Sequence, residues 1–426
     1  MNKNNVNNTN SDGGNNSDNN FIFVLASVLK QAKDVRMYEK IGKSLIKKYK
    51  NATFHFVGQA SNNDTENIQK PENIHFHELF NFNRIALKRF FTFFIFLFPL
   101  LKIKPNILVI GTFELLLPAV FYKIFSIVFL RKKVKIIYDV QENYVANISY
   151  TKVFLPVLRE MIAIYVYLVQ KVTSFSVDFF FLAEHCYEQE LSFIGKNNEK
   201  YAILPNFILR EDFTGKLESN IIENQKTTGK TTHLLFLGTI SQEYGLQKML
   251  TYFEYITKKQ QEKQPKNIIK LTILGYCPLE TDFLVIKKLS KTNHLIEAQI
   301  SQKPVPYTQI KEKMKIMSQA ENVFVVMPYV TNESYKKRIP TKFYECLAYD
   351  LPMIIAYNSH WEDFFEQMQK LIPTHKINVF FIDFDDKETP FDYKILSKKD
   401  NQNNYLIQNL PIFWDICEDK LNKINF

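Results

Sequence analysis

Short, continuous apolar runs separated by helical-period segments constrain this chain more than any other feature. FIFVLA (21–26), Thr53–Gly58, Asn73–His77, ILVIG (107–111), VKIIYD (134–139), DFFFLA (178–183) and YAILPN (201–206) form a first series. A polar stretch, Glu211–Lys230, follows, and the rhythm restarts with HLLFLG (233–238), IIKLTILG (268–275), HLIEAQI (294–300), NVFVVMP (322–328), PMIIAY (352–357) and NVFFID (378–383). A strand that is apolar throughout must be buried on both faces, and alternation with helices does this in a parallel sheet. The expectation is an α/β chain of two doubly wound, Rossmann-like domains facing a central cleft. Its parts are an Asn-rich tail (1–20), a first domain (21–210), a linker (211–230), a second domain (231–395) and a C-terminal segment (396–426). The last carries an amphipathic helix from about Tyr405 to Lys423.

Length agrees, since 426 residues exceed what one core usually supports. A net charge of +10 points to anionic partners. No basic stripe with interleaved stacking aromatics stands out, so nucleic acid is not expected. Cys186, Cys277, Cys346 and Cys417 are scattered without a CxxC pair and suit reduced, buried thiols. Residues 1–20 lack the apolar core of a signal peptide and read as disordered.

Three segments are unusually apolar: Arg89–Leu101, Leu115–Leu130 and Val153–Val169. The first is too short to cross a bilayer, which takes about 20 residues, and Pro99 interrupts it. Sheet-covering helices account for them; so does a basic, apolar face resting on a membrane, and both hold if different stripes of each helix serve the two ends.

In doubly wound sheets ligands bind beyond the carboxyl ends of the strands. The exits here are Lys30–Arg36, Gly111–Glu114 and Asp139–Glu142 in the first half, and Gly238-Thr239, Gly275-Tyr276 and Pro328-Tyr329 in the second. Ser334–Asn358 reads as a basic loop, a helix entered at Pro340 and Thr341, a turn at Asp350 and a buried strand. Thr341 is suited to cap that helix, whose N-terminus behind Lys336, Lys337 and Arg338 suits a phosphate. Lys342 and Glu345, three apart, lie near each other. TTGKTT, ending at Thr232, is rejected as a phosphate loop because Asn224 takes the first glycine position and the segment precedes a strand.

FLGTISQEYGL, LTILGY and IPTKFYECLAYDLPMI resemble the carboxyl-half signature of the group 1 retaining glycosyltransferases with the GT-B fold. KDVRMYEK, IIYDVQENY, VDFFFLAE and ILPN resemble that family's amino-half segments, in the same order. The resemblance implies sugar transfer from a nucleotide-diphosphate-sugar donor, with retention, without a metal and with no cofactor beyond that co-substrate. It assigns donor binding to Gly238, Thr239, Gly275, Lys337, Arg338, Pro340, Thr341, Lys342 and Glu345. Glu345 matches the acid that accepts hydrogen bonds from the nucleotide ribose, a task that suits two acceptor oxygens. The acceptor side falls on Arg36, Gly111, Thr112, Gln141 and Glu142, and the chemistry on Glu142, Arg338 and Lys342.

This chain departs from the family pattern at telling places. Lys337 stands where the first acid of the acid-x7-acid motif belongs. Thr239 and Tyr244 replace the cations that clamp the diphosphate, and Gly111-Thr112-Phe113 and Gln141 replace two active-site histidine positions. Each charge-assisted hydrogen bond to phosphate is worth about 1.5–3 kcal/mol, so Lys336, Lys337, Arg338 and Lys342 are the expected replacements. Asp350 takes a turn-glycine position, which Asp tolerates better than most residues. Asp383, Asp385 and Asp386 read as a solvated acidic loop more than a metal site. Two functions remain: a transferase passing sugar to a glycan or lipid-linked acceptor as a peripheral protein on the inner face of the plasma membrane, or a catalytically impaired GT-B protein that binds or scaffolds there.

Overall fold

The computed structural model describes residues 21–60, 71–81, 89, 91–150, 155–194, 200–214, 231–263, 266–305, 307–318, 320, 322–330, 332–386 and 410–425. The Asn-rich tail, most of the linker (215–230) and the start of the C-terminal segment (396–409) lie outside these residues.

Two all-parallel sheets organise the chain. The first holds β1 (Ile22–Gln31), β2 (Thr53–Gln59), β3 (Ile74–Phe80), β4 (Ile107–Ile110), β5 (Lys135–Val140), β6 (Phe179–Leu182) and β7 (Tyr201–Ile203), in the order β3-β2-β1-β4-β5-β6-β7. The second holds β8 (Thr231–Thr239), β9 (Ile268–Tyr276), β10 (Ile296–Ser301), β11 (Val323–Met327), β12 (Met353–Ala356) and β13 (Val379–Ile382), in the order β10-β9-β8-β11-β12-β13. Each order reverses direction once, between β1 and β4 and between β8 and β11. Those reversals are where a doubly wound sheet opens a crevice for a ligand.

The apolar runs are explained by what covers them. On one face of the first sheet Val24, Ala26, Leu108 and Ile136 pack against Phe96, Leu100, Tyr122 and Val166. These come from the helices Thr92–Ile103, Leu116–Phe129 and Pro156–Ser174, close to the three apolar segments. On the other face Phe23, Leu25, Phe54 and Ile137 meet Met37, Ile41 and Leu45. Those belong to a helix that winds widely over Val35–Gly42 and tightens over Lys43–Lys48. The second sheet is likewise covered on both faces, by Phe343, Leu347 and Trp361 on one side and Leu246, Met249 and Phe253 on the other.

The C-terminal helix spans Asp415–Lys423, within the expected stretch, of which residues 405–409 lie outside the described residues and 410–414 are not helical. Pro411 stands at the crossing, where Phe413 forms a parallel bridge with Ile208 and the Trp414 N–H donates to the Ile208 carbonyl at 2.8 Å. Beyond it Trp414, Cys417 and Leu421 join the first sheet's core, and the Trp414 Nε1–H donates to Ser44 Oγ at 3.0 Å. Asp350 adopts the left-handed backbone expected of it, with φ at +49°, and its carboxylate lies 3.0 Å from His375 Nε2.

Candidate functional site

The carboxyl ends of the two sheets face each other, and the second sheet's half of the cleft centres on Gly238. This residue near the end of β8 has φ at +110°, a left-handed conformation that glycine adopts most readily. A Cβ placed there would meet only Lys342 Cε, at 4.0 Å. The space in front of β8 is therefore open, with a lysine stem as its far wall. Gly275, at the matching position of β9, has another task. Its Cβ would fall 1.8 Å from the Gly238 carbonyl oxygen, so it permits two strands to pack and does not face the open space.

Lys342 lies in the first turn of the helix Thr341–Ala348, which follows β11. Its Nζ sits 2.5 Å from Glu345 Oε2, and the two side chains are only 11% and 6% exposed. The Tyr307 hydroxyl also bonds to Glu345; burial and that carboxylate push the phenol's pKa well above its usual value. Gly238, Lys342 and Glu345 thus converge at the switch point of the second sheet. Thr239 ends β8, half-buried. Pro340 occupies the capping position of the helix and Thr341 its first turn, so no side chain caps it. The expectation that Thr341 caps the helix fails because Pro340, whose side chain has no acceptor, holds the place where a cap must sit.

The basic residues of the preceding loop divide. Lys337 is exposed on a turn, and Lys336 pairs with Glu333 at 2.5 Å. Arg338 instead turns toward the first domain. Its Nη1 donates to Asn147 Oδ1 at 3.0 Å and its Nη2 to Ser334 Oγ at 3.1 Å. Ser334 Oγ also donates to Asn147 Oδ1 at 2.9 Å. The Arg338 guanidinium lies over the Tyr187 and Tyr335 rings, and its Nε is buried without a hydrogen-bond partner. Opposite, Asn147 Nδ2 donates to Glu142 Oε2 at 2.9 Å. Glu142 and Arg338 therefore belong to one chain of contacts that spans the cleft.

Two residues expected on the acceptor side are engaged within the first domain. Arg36 is buried, and its guanidinium is held by Asp139 at 2.6 Å, the Leu204 carbonyl at 2.9 Å and Asn206 at 2.9 Å. It braces the exits of β5 and β7, which leaves little of it for a substrate. Thr112 is buried too, where its hydroxyl accepts the Val28 N–H at 3.3 Å. Gly111 lies under Gln141, whose Nε2 would be 2.8 Å from a Cβ there, and Gln141 donates to Asp139 at 2.8 Å. In the acidic loop Asp385 pairs with Lys248 at 2.6 Å.

The structure adds Glu184, which follows β6. Its Oε2 accepts the Ile339 N–H at 3.4 Å across the cleft. The residue is half-buried on the floor of the cleft. That burial pushes its carboxyl up to about 8, against the opposing pull of the Ile339 N–H and the Arg338 charge. Its place at a strand exit is the signal the sequence offers; the opposing loop that buries it leaves no local trace.

No family model matches the chain, and a search of the curated proteins finds no match. Solved structures do resemble it. A sucrose-phosphate synthase from Thermosynechococcus elongatus superposes with a TM-score of 0.63 at 11% identity, covering 95% of this chain and 98% of that one. The fold is GT-B. The catalytic domain of starch synthase IV from Arabidopsis thaliana, bound to ADP and acarbose, gives 0.58 at 10% identity, with coverage of 95% and 98%. A UDP-N-acetylglucosamine 2-epimerase gives 0.51 at 10%, with 94% of each chain covered. This architecture therefore serves enzymes of more than one class, and the choice among them rests on the site.

Proposed function

We propose that the protein transfers a sugar from a nucleotide-diphosphate-sugar donor, with retention and without a metal, to a glycan or lipid-linked acceptor at the cytoplasmic face of a membrane. The observation that carries this reading is the meeting of Gly238, Lys342 and Glu345 at the switch point of the second sheet. An open glycine lets a diphosphate approach backbone N–H groups, an ammonium faces it, and a carboxylate stands one helical turn away for the ribose hydroxyls. The starch synthase of similar fold carries ADP, which is in keeping with a nucleotide in such a cleft.

Chemically, the site must stabilise the departing diphosphate, since charge accumulates there as the glycosidic bond breaks. Lys342 supplies that stabilisation once the ribose draws Glu345 away from it. Glu142, Asn147 and Arg338 line the opposite side and would position the acceptor, with Glu184 beneath them. The test is a thermal-shift and hydrolysis screen with UDP-, GDP- and ADP-linked sugars. One donor should raise the melting temperature and release its nucleoside diphosphate, and Glu345→Ala should abolish both effects. No response to any donor would sink the reading.

One observation favours a second reading, the catalytically impaired binding or scaffolding protein. Thr239 offers no cation, Tyr244 packs edge-on against Tyr329 at 5.5 Å, and Lys342 is neutralised by Glu345. A protein that binds nucleoside diphosphates but turns over no donor would fit it.

A further inference from the structure

The helices Thr92–Ile103, Leu116–Phe129 and Pro156–Ser174 lie side by side over one face of the first sheet. Phe93 of the first touches Phe121 of the second, with ring centroids 5.9 Å apart. Their inner faces are already spent on the core. Their outer faces, with the residue that closes the third helix, are apolar as well: Phe98, Ile124, Phe129, Met161, Ile164 and Phe175 are each more than half exposed. A large aromatic side chain carries about 150–250 Å², so this layer presents on the order of 1,000 Å² of apolar surface. Soluble monomers rarely expose more than a few hundred Å² in one patch. Helices apolar all round belong in a core or against lipid, and among the described residues none is long and apolar enough to cross a membrane.

Charge chooses the occupant. The carboxyl ends of the three helices, and the turns that follow, carry exposed Lys102, Lys104, Arg131, Lys133 and Lys171. Within the three helices the exposed carboxylate is Glu160. Asp178, just beyond the third helix, is paired with Lys123 at 2.7 Å. Anionic headgroups attract such a collar, and long basic side chains reach them while their stems stay on the apolar face.

We infer that the outer face of this three-helix layer docks flat on an anionic bilayer, with its basic edge in the headgroups. These helices run back against the strand direction, so their first turns lie beside the carboxyl ends of the strands. The cleft therefore opens along the rim of the docked face, where a headgroup-borne acceptor would arrive. That last step rests on the transferase reading; the docking does not.

The test is co-sedimentation of the full-length protein with phosphatidylcholine vesicles, with and without phosphatidylglycerol, over a salt series. Wild type should bind the anionic vesicles and lose affinity as salt rises. Lys102→Gln/Arg131→Gln/Lys171→Gln should bind them roughly a hundredfold more weakly, and Phe98→Glu/Ile124→Glu/Met161→Glu should not bind at all while melting as wild type does. Failure of wild type to bind at low salt overturns the inference. So does a wild-type dimer in sedimentation velocity that the glutamate variant dissolves, because the face would then belong to a second copy. Nucleoside diphosphate titrations on the same proteins keep the two ideas apart: vesicle binding without nucleotide binding upholds the docking and refutes the donor site.

Discussion

On the transferase reading Lys342 and Glu345 serve different halves of a nucleotide, and that division can be tested. The pair is close, at 2.5 Å, and nearly solvent-free. Removing one partner of a buried ion pair costs about 3–5 kcal/mol because the other charge is stranded. Truncation alone would thus confuse stability with binding. Lys342→Met keeps the stem and removes the charge; Glu345→Gln keeps an acceptor for Tyr307 and removes the charge. A charge-assisted hydrogen bond is worth about 1.5–3 kcal/mol, or roughly ten- to a hundredfold and more in dissociation constant. Calorimetric titration with UDP, GDP and ADP and with the matching nucleosides resolves the roles. For whichever base wild type accepts, Lys342→Met should weaken the diphosphate by that factor and leave the nucleoside within about twofold. Glu345→Gln should weaken both alike. Should Lys342→Met lower nucleoside and diphosphate affinity equally, the lysine acts only by holding Glu345, and the phosphate assignment is wrong.

Gly238 and Gly275 should respond differently to alanine. Gly238→Ala meets no atom nearer than 4.0 Å; it should cost only the backbone strain of a positive φ, about 1–3 kcal/mol, yet remove nucleotide binding. Gly275→Ala drives a methyl into the Gly238 carbonyl and should lower the melting temperature far more. Glu184 gives a pH signature. Its folded pKa, raised to about 8, exceeds the unfolded value, so the native state holds the extra proton and loses stability as pH climbs from about 4.5 toward 8. Glu184→Gln lacks that penalty. Its melting temperature relative to wild type should rise between pH 5 and pH 8.5, and a difference that stays constant with pH would refute the burial argument.

The sheets are legible in the sequence because burial on both faces forces a parallel strand to be apolar throughout, which leaves a pattern no surface strand shares. The Lys342–Glu345 contact is legible because helical spacing alone brings i and i+3 together. Asp350 is legible because few residues but Asn, Asp and Gly accept its backbone. What escapes depends on distant segments. Arg36 meets Asp139 across 103 positions, and nothing local to either residue says that the guanidinium is already engaged. The basic neighbours of Arg338 suggest a phosphate ligand, yet Asn147, 191 positions away, turns it toward the other domain.

That turn changes what the missing clamp means. Sequence alone allows the basic loop and Lys342 together to replace the two absent cations; the fold leaves Lys342 beside Gly238 without help from that loop. Arg338 is committed to Asn147 and Ser334, and Lys337 stands exposed on its turn. A single charge-assisted contact of about 1.5–3 kcal/mol cannot match a pair, so on the transferase reading donor affinity draws on another source. The cross-cleft contacts offer one. Ile339 and Arg338 touch Glu184 and Asn147 through the same loop that leads into the Lys342 helix. A nucleotide that orders this helix also steadies the loop, and the loop's bonds to the first domain then contribute to holding the donor. On that account Asn147→Ala, which touches no nucleotide, should weaken nucleoside diphosphate binding by about five- to tenfold, the worth of a hydrogen bond of roughly 1–1.5 kcal/mol. Unchanged affinity in calorimetry would leave Lys342 as the sole compensation and tilt the balance toward the impaired, scaffolding protein.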